Sequence, residues 1–423
     1  MPFFYGWVVV GLGMLGMAGW TGIRTSFSVF YVALLDEFGW SRGGAAGVMS
    51  LAFMIYLVLA PVTGGLIDRF GPRRVILPGI VILCSGLALA SRTSSLPQFY
   101  FFYGVIVATG ITAISITAYS PILAQWFEKR RGVAVGVAVS GMGLGTFLLV
   151  PLTQYFISLW GWRFSFVMMS LLIFVVLFPL TLFLLRHRPS ELGLAPDGAR
   201  AGDPPRKRSI EVVDHVWAET DWTVKRIFAT SRYWALLIFA FLSITPVYLM
   251  VTHSVRFLVD KGVDKMFAAL FLAYVGIVSL VFRVTWGWLS DRIGRETTFT
   301  IGALFLSLAA WCLLLINATG QTKLAYLFSL LLGMGWGVTA PMFISICADL
   351  FQGKRFGLIY GILEGVIGGG CAFGAWFGGF IFDVTRSYAL AFLLCALFAI
   401  GSSIVVWFSA PRKVRRVHLV KTS

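Results

Sequence analysis

Charge is scarce in this chain. Asp, Glu, Lys and Arg make up 12% of its 423 residues, roughly half the share of a soluble domain, which excludes a typical soluble enzyme. Acidic residues are rarer still, 18 against 34 basic ones. A net charge of +16 suits nucleic acid in general, but here the basic residues stand between apolar runs rather than on one soluble face, so no nucleic-acid partner is expected. The five cysteines, Cys84, Cys312, Cys347, Cys371 and Cys395, all fall in apolar segments without metal-ligand or disulfide spacing. They read as small buried hydrophobes, and no metal is expected. No Gly-Lys-Ser/Thr phosphate loop is present, so neither ATP nor a cofactor is expected. No nucleophile-base set suggests an enzyme.

What the chain has is apolar length. Hydrophobic residues make up 58% and glycine contributes 46 residues, a composition that suits helices packed closely in a lipid bilayer. A spanning helix needs about 20 mostly apolar residues. Twelve runs qualify, at roughly 6–35, 43–67, 74–93, 98–126, 132–159, 163–185, 232–259, 266–290, 297–317, 323–350, 357–382 and 387–410. Their length and the lack of period-2 alternation favour helices over strands. The first run has no basic flank or cleavage pattern and reads as a retained helix. If both termini lie inside, the inner loops and tail hold 24 of the 34 Lys and Arg residues and the outer loops eight, which places both ends in the cytoplasm. The expected location is the inner (plasma) membrane. The expected organisation is a six-helix bundle over 1–186, a cytoplasmic linker over 187–231, a second bundle over 232–410 and a basic tail over 411–423. The linker reads as a solvated tether whose last part, Trp217 to Phe228, has apolar residues at helical spacing and can lie along the inner surface.

The halves repeat. Gly64-Gly65-Leu66-Ile67-Asp68-Arg69-Phe70-Gly71 follows the second run, and Gly287-Trp288-Leu289-Ser290-Asp291-Arg292-Ile293-Gly294-Arg295 follows the eighth. Trp126-Phe127-Glu128-Lys129-Arg130-Arg131-Gly132 and Leu350-Phe351-Gln352-Gly353-Lys354-Arg355-Phe356-Gly357 form a second pair after the fourth and tenth. Such duplication implies two pseudo-symmetric six-helix bundles. The Gly-rich Asp-Arg loop, present twice, resembles the signature of the major facilitator superfamily. That resemblance implies an all-α membrane protein of twelve transmembrane helices, with Asp68, Arg69, Asp291 and Arg292 as gating elements. Gly6-Trp7-Val8-Val9-Val10 and the Trp126 to Ala138 stretch are similar to motifs of the superfamily's monocarboxylate porter branch, with Tyr5 standing where that branch carries an acidic residue. Arg283, four residues before Gly287, matches the branch's helix 8 arginine. The resemblance implies that it binds the substrate carboxylate. Ser279 stands in place of the branch's acidic residue one turn earlier.

The polar residues within the apolar runs have their own logic. Arg283 lies eight residues before Asp291, about 12 Å deeper at 1.5 Å per residue, near the midplane of a core about 30 Å thick. A cation there needs a cavity and a partner. Its planar fork can take a carboxylate, or it can serve structurally by bonding carbonyls. Arg24 sits in the polar stretch Trp20 to Ser26 and reads as a substrate contact, or else as a structural pair or a side chain snorkelling outward. His253 and Glu364 are the candidate proton carriers. Histidine is slightly favoured because its ordinary pKa of about 6.5 lies in the working range. His253 can also contact substrate or simply be a satisfied cavity histidine, and Glu364 can instead neutralise an arginine permanently. An acid at 364, where the related oxalate-exchanger branch carries a lysine, argues against a second cationic clamp and so against a dicarboxylate. Tyr119, Trp20, Trp336 and Tyr360 are further substrate-binding candidates that packing alone can also explain. The run Gly141-Met142-Gly143-Leu144-Gly145 looks like a nucleotide loop but lies inside a span, and reads as close helix packing.

The expectation is a secondary transporter of a small monocarboxylate of the lactate or pyruvate type, moving with a proton by alternating access. Its partners are then a small organic anion, H+ and the lipid bilayer. The alternatives are an organic-anion exchanger of the oxalate/formate type without proton coupling, and a transporter-like anion sensor.

Overall fold

The structure, a computed structural model, describes residues 4–127, 131–194, 210–351 and 356–417. Its helices group into two compact units, Met1–Arg206 with Asp264–Gly276, and Lys207–Val263 with Ile277–Ser423.

The first unit begins with α1 (Gly6–Phe38), α2 (Arg42–Phe70) and α3 (Arg73–Ala90). The fourth apolar run is not one regular helix. It passes from α4 (Leu96–Phe99) through a π-helical stretch (Tyr100–Val107) into α5 (Ala108–Thr112), breaks, and resumes as α6 (Ile116–Trp126). Thr109 and Thr112 donate to the carbonyls of Val105 and Ala108, four residues back, a bond that loosens and bends helices. The last helix, α7 (Arg131–Leu184), holds an apolar stretch of 51 residues, Ala134–Leu184. At 1.5 Å per residue that is about 77 Å, more than twice a bilayer core of about 30 Å. Gly161, at φ 80° and ψ 166°, breaks the helical path there, so α7 is two spans. Eleven apolar helical segments occur among the described residues; with α7 counted as two, the expected twelve are present.

The second unit contains strand β1 (Ile210–Val212), α8 (His215–Glu219), α9 (Val224–Phe228), α10 (Ser231–Asp260), α11 (Lys265–Ile293) from Ile277 onward, α12 (Arg295–Thr319), α13 (Leu324–Phe351), α14 (Phe356–Thr385), α15 (Ala389–Ser409) and strand β2 (Arg415–Val417). The two strands pair antiparallel, a short ribbon added to an otherwise helical molecule. Residues 210–230 are therefore built onto this unit. Trp217 and Trp222 supply the reason: their rings pack on Phe351 at the end of α13.

Each unit buries its first long helix. In α1 the polar stretch is inside: Thr25 bonds Thr146, and Thr153 donates to Ser26 at 3.1 Å. The helices touch backbone to backbone. A methyl group at Gly141 or Gly145 would overlap the carbonyl oxygens of Met14 or Ala18, so the glycine run serves close packing of α7 on α1. In the second unit α10 is the buried helix, with Ser243, Thr245, Thr252, His253 and Ser254 inside. Apolar side chains such as Phe183, Val175 and Leu171 point outward, as lipid-facing helices require.

The end of α7 in the first unit explains two motif residues. The last carbonyls of a helix have no partner within it. Tyr5 donates to Leu184 O at 2.9 Å, Trp126 Nε1 to Arg186 O at 3.1 Å, and Arg73 Nε to Leu185 O. An acidic residue at position 5 could not make the Tyr5 bond, because a carboxylate has no proton to donate.

Candidate functional site

In the second unit Arg283 is carried by α11, a spanning helix with no proline to bend it. Its side chain is 7% exposed. The guanidinium carbon lies 5.7 Å from the ring centre of Trp336 on α13, and Tyr248 on α10 meets the same indole edge-on at 6.3 Å. Two features fix this position. Trp286, one turn along the same face, donates Nε1–H to Met334 O at 2.8 Å. Gly337 lets the two helices close up: a methyl group there would lie 3.1 Å from Phe282 Cβ and 3.3 Å from Arg283 N. Arg283 and Trp336, both expected at a site, are thus brought together. Tyr248, Trp286 and Gly337 were not picked out from the sequence, where only their helix register relative to Arg283 could have shown them. Ser279 is buried one turn before Arg283.

His253 and Glu364 sit in different settings. His253 is fully buried between α10, α14 and α15. Its Nε2 is 2.8 Å from Ala375 O, and its Nδ1 is 3.2 Å from the Tyr388 hydroxyl. A carbonyl only accepts, so Nε2 donates to Ala375 O, and Nδ1 shares a second hydrogen bond with the Tyr388 hydroxyl, which engages both ring nitrogens. Gly378 allows the fit, since a methyl group there would lie 2.6 Å from His253 Cδ2. Glu364 is only partly buried and accepts from Tyr360, one turn earlier on α14, at 2.5 Å. Tyr360 and Glu364 therefore act as one hydrogen-bonded pair.

In the first unit Arg24 lies among aromatic faces. Its guanidinium carbon is 4.3 Å from the ring centre of Phe53, 4.7 Å from Trp20 and 5.0 Å from Tyr56. Such contacts stabilise a desolvated cation. Trp20 is buried, and its indole N–H has no acceptor among the described residues. Tyr103 donates to Ile23 O at 3.1 Å, tying the π-helical stretch to α1 beside Arg24. Tyr119 packs elsewhere: it is 1% exposed and lies against Gly16, where a methyl group would be 2.6 Å from its hydroxyl oxygen.

The duplicated loops differ in detail. In the second unit Asp291 pairs with Arg295 at 2.6 Å, and Arg295 Nε also reaches Asp349 Oδ2 at 3.1 Å. Arg292 instead lies 3.6 Å above the Trp288 ring. The basic partner of Asp291 is thus Arg295, the first residue of α12, reached across the break at Gly294 (φ 93°). Asp349, outside the repeated motif, was not foreseen. In the first unit Arg69 is exposed and lies over Phe70 at 5.1 Å. The Asp68 side chain and residues 128–130 and 352–355 of the second repeated motif lie outside the described part. Among the described residues no group of three His, Cys, Asp or Glu side chains is placed to hold a metal ion.

A family profile described as Major Facilitator Superfamily matches residues 8–353. The chain is 25% identical to Monocarboxylate transporter 13 of Rattus norvegicus over 399 residues, covering 94% of this chain and 87% of that one. It is 22% identical to Monocarboxylate transporter 2 of Homo sapiens over 412 residues, covering 95% and 84%. The crystal structure of a bacterial homologue of the human lysosomal transporter Spinster, inward-facing and unoccupied, superposes with a TM-score of 0.69 at 16% identity over 98% of both chains.

Proposed function

From the premise that this chain belongs to the major facilitator superfamily and is a multi-pass membrane protein, we propose that it carries a small monocarboxylate of the lactate or pyruvate class across the membrane by alternating access. The observation that carries this reading is Arg283, a guanidinium buried in a spanning helix beside Trp336 and Tyr248. A cation at that depth is costly and marks a substrate path. Its two parallel N–H groups match one carboxylate. The similarity to proteins named monocarboxylate transporters supports the same substrate class. Arg24, caged by rings in the first unit, adds a second positive centre that favours anions. The Asp291–Arg295–Asp349 cluster and the Asp68–Arg69 loop gate the change between states, and the basic loops keep both termini in the cytoplasm of an inner (plasma) membrane.

A proton travels with the anion in this reading. Its carrier must exchange with water, and Glu364 is partly exposed whereas His253 is sealed with both ring nitrogens engaged. In this reading the carrier is therefore Glu364 rather than His253. A second reading, exchange of organic anions without a proton, is favoured by Ser279 replacing the acid one turn before Arg283. Uptake of labelled lactate, pyruvate and oxalate into proteoliposomes, with and without an inward proton gradient, decides between them. Gradient-driven accumulation of the two monocarboxylates is expected. Counterflow alone, or oxalate as the sole substrate, would favour the exchanger, and no flux of any acid would reject both.

A further inference from the structure

Three consecutive residues at the end of α13 are each held by a different segment of the second unit. Arg415, in β2, donates to Ala348 O at 3.1 Å. Arg295, at the start of α12, donates to Asp349 Oδ2 at 3.1 Å. Trp217, in α8, donates its indole N–H to Leu350 O at 2.7 Å. Ala348 and Leu350 are in the last described turn of α13, on either side of Asp349. The central linker and the C-terminal tail thus each donate to a main-chain oxygen of α13, on either side of the residue that binds Arg295.

The two outer holders are themselves joined. β1 pairs with β2 in the register Ile210 to Val417, Glu211 to Arg416 and Val212 to Arg415. Val213 N–H then donates to Val414 O at 2.9 Å. Trp217 is fixed by its backbone bond to the Asp214 carboxylate at 2.9 Å, by the Trp222 ring at 4.5 Å and by the Arg232 guanidinium over its face at 4.3 Å. The Trp222 ring closes on Phe351 edge-on at 5.1 Å. A chain segment lacking a function beyond connection has no need of two tryptophans, a strand partner and a helix-end bond.

We propose that residues 210–222 and 411–417 form a strap across the end of α13, and that the strap sets how firmly Asp349 holds Arg295. The inference rests on the gating role assigned above to the Asp291–Arg295–Asp349 cluster. With the strap closed, the backbone of α13 is held on both sides of Asp349 and its carboxylate is kept in register with Arg295. With the strap released, that turn frays and the cluster loosens, so the linker and tail become a control point on the gate although neither contains a gating residue.

The test uses the full chain in lipid nanodiscs and liposomes. Trp217→Phe keeps a ring and removes the N–H; Arg415→Met keeps an unbranched side chain and removes the donor from the second holder. Amide hydrogen exchange across 345–351 reads the strap, lactate flux reads the gate, and Asp291→Asn measures the gate independently. Each strap variant is expected to speed exchange in the last turn of α13 by about tenfold, as loss of one helix-end hydrogen bond implies, and to change flux at least about twofold in the direction of Asp349→Asn. Exchange within about twofold of the parent in both variants would overturn the strap. Faster exchange with unchanged flux, while Asp291→Asn alters flux, would overturn its link to the gate. If Asp291→Asn also leaves flux unchanged, it is the gating role itself that falls, and the strap's control of it falls with it.

Discussion

Replacing Arg283 by lysine isolates the fork from the charge. The site is 7% exposed, and the guanidinium carbon is 5.7 Å from the Trp336 ring centre. Lysine keeps a cation that can still lie against that ring, so the packing and charge balance of α11 change little. What it loses is one of two parallel bonds to a planar carboxylate. A hydrogen bond involving a charged group contributes about 1.5–3 kcal/mol, so losing one should cost about 2 kcal/mol. At 1.4 kcal/mol per factor of ten, binding of lactate should weaken about 30-fold. Arg283→Ala removes both bonds and should weaken binding by about 1,000-fold on the same scale. Titration calorimetry on purified protein, with thermal unfolding as the control for folding, measures both. Lysine within threefold of the parent, in protein of unchanged melting temperature, would refute the fork, and full-affinity binding by the alanine variant would remove Arg283 from the site.

Glu364→Gln should abolish the acceleration of uptake by an inward proton gradient while leaving lactate counterflow intact, whereas His253→Gln should keep the gradient response; the reverse pattern in pH-jump uptake assays would restore His253 as the carrier. Asp68→Asn and Asp291→Asn should each change the balance of states, read by labelling single cysteines from either side of sealed vesicles, and unchanged labelling in both would reduce the loops to connections. Gly145→Ala would press a methyl group into the Ala18 carbonyl and should destabilise the first unit by about 2 kcal/mol, the usual cost of overpacking; an unchanged melting temperature in detergent would contradict the close approach of α1 and α7.

The spans were legible because bilayer thickness imposes one length on every apolar run, and the duplicated Asp-Arg loops marked the repeat. The split fourth span was not legible, because Thr109 and Thr112 look like any small polar residues until their hydroxyls are seen bonding back to Val105 and Ala108. Arg283 could be found from sequence because a cation eight residues inside a membrane helix is expensive wherever it points. Its surround could not, since Tyr248 and Gly337 come from other helices and only folding makes them neighbours. His253 shows the opposite limit. Its residue type suggested proton chemistry, but that type does not reveal that Ala375 O and the Tyr388 hydroxyl occupy both nitrogens. For Asp291 the sequence named no partner, and it is the turn at Gly294, φ 93°, that brings Arg295 at the start of α12 back onto it.

The capped end of α7 has an evolutionary consequence. Tyr5, Arg73 and Trp126 donate to main-chain oxygens of Leu184, Leu185 and Arg186, and a main-chain oxygen is the same whatever side chain it carries. The acceptor positions can therefore drift in sequence while the donors cannot, so selection acts on one partner only. Methods that look for correlated substitutions will find no signal across these contacts. A saturation-mutagenesis map should instead show intolerant sites at 5, 73 and 126 facing tolerant ones at 184–186, a one-sided pattern that marks where side chains hold backbone.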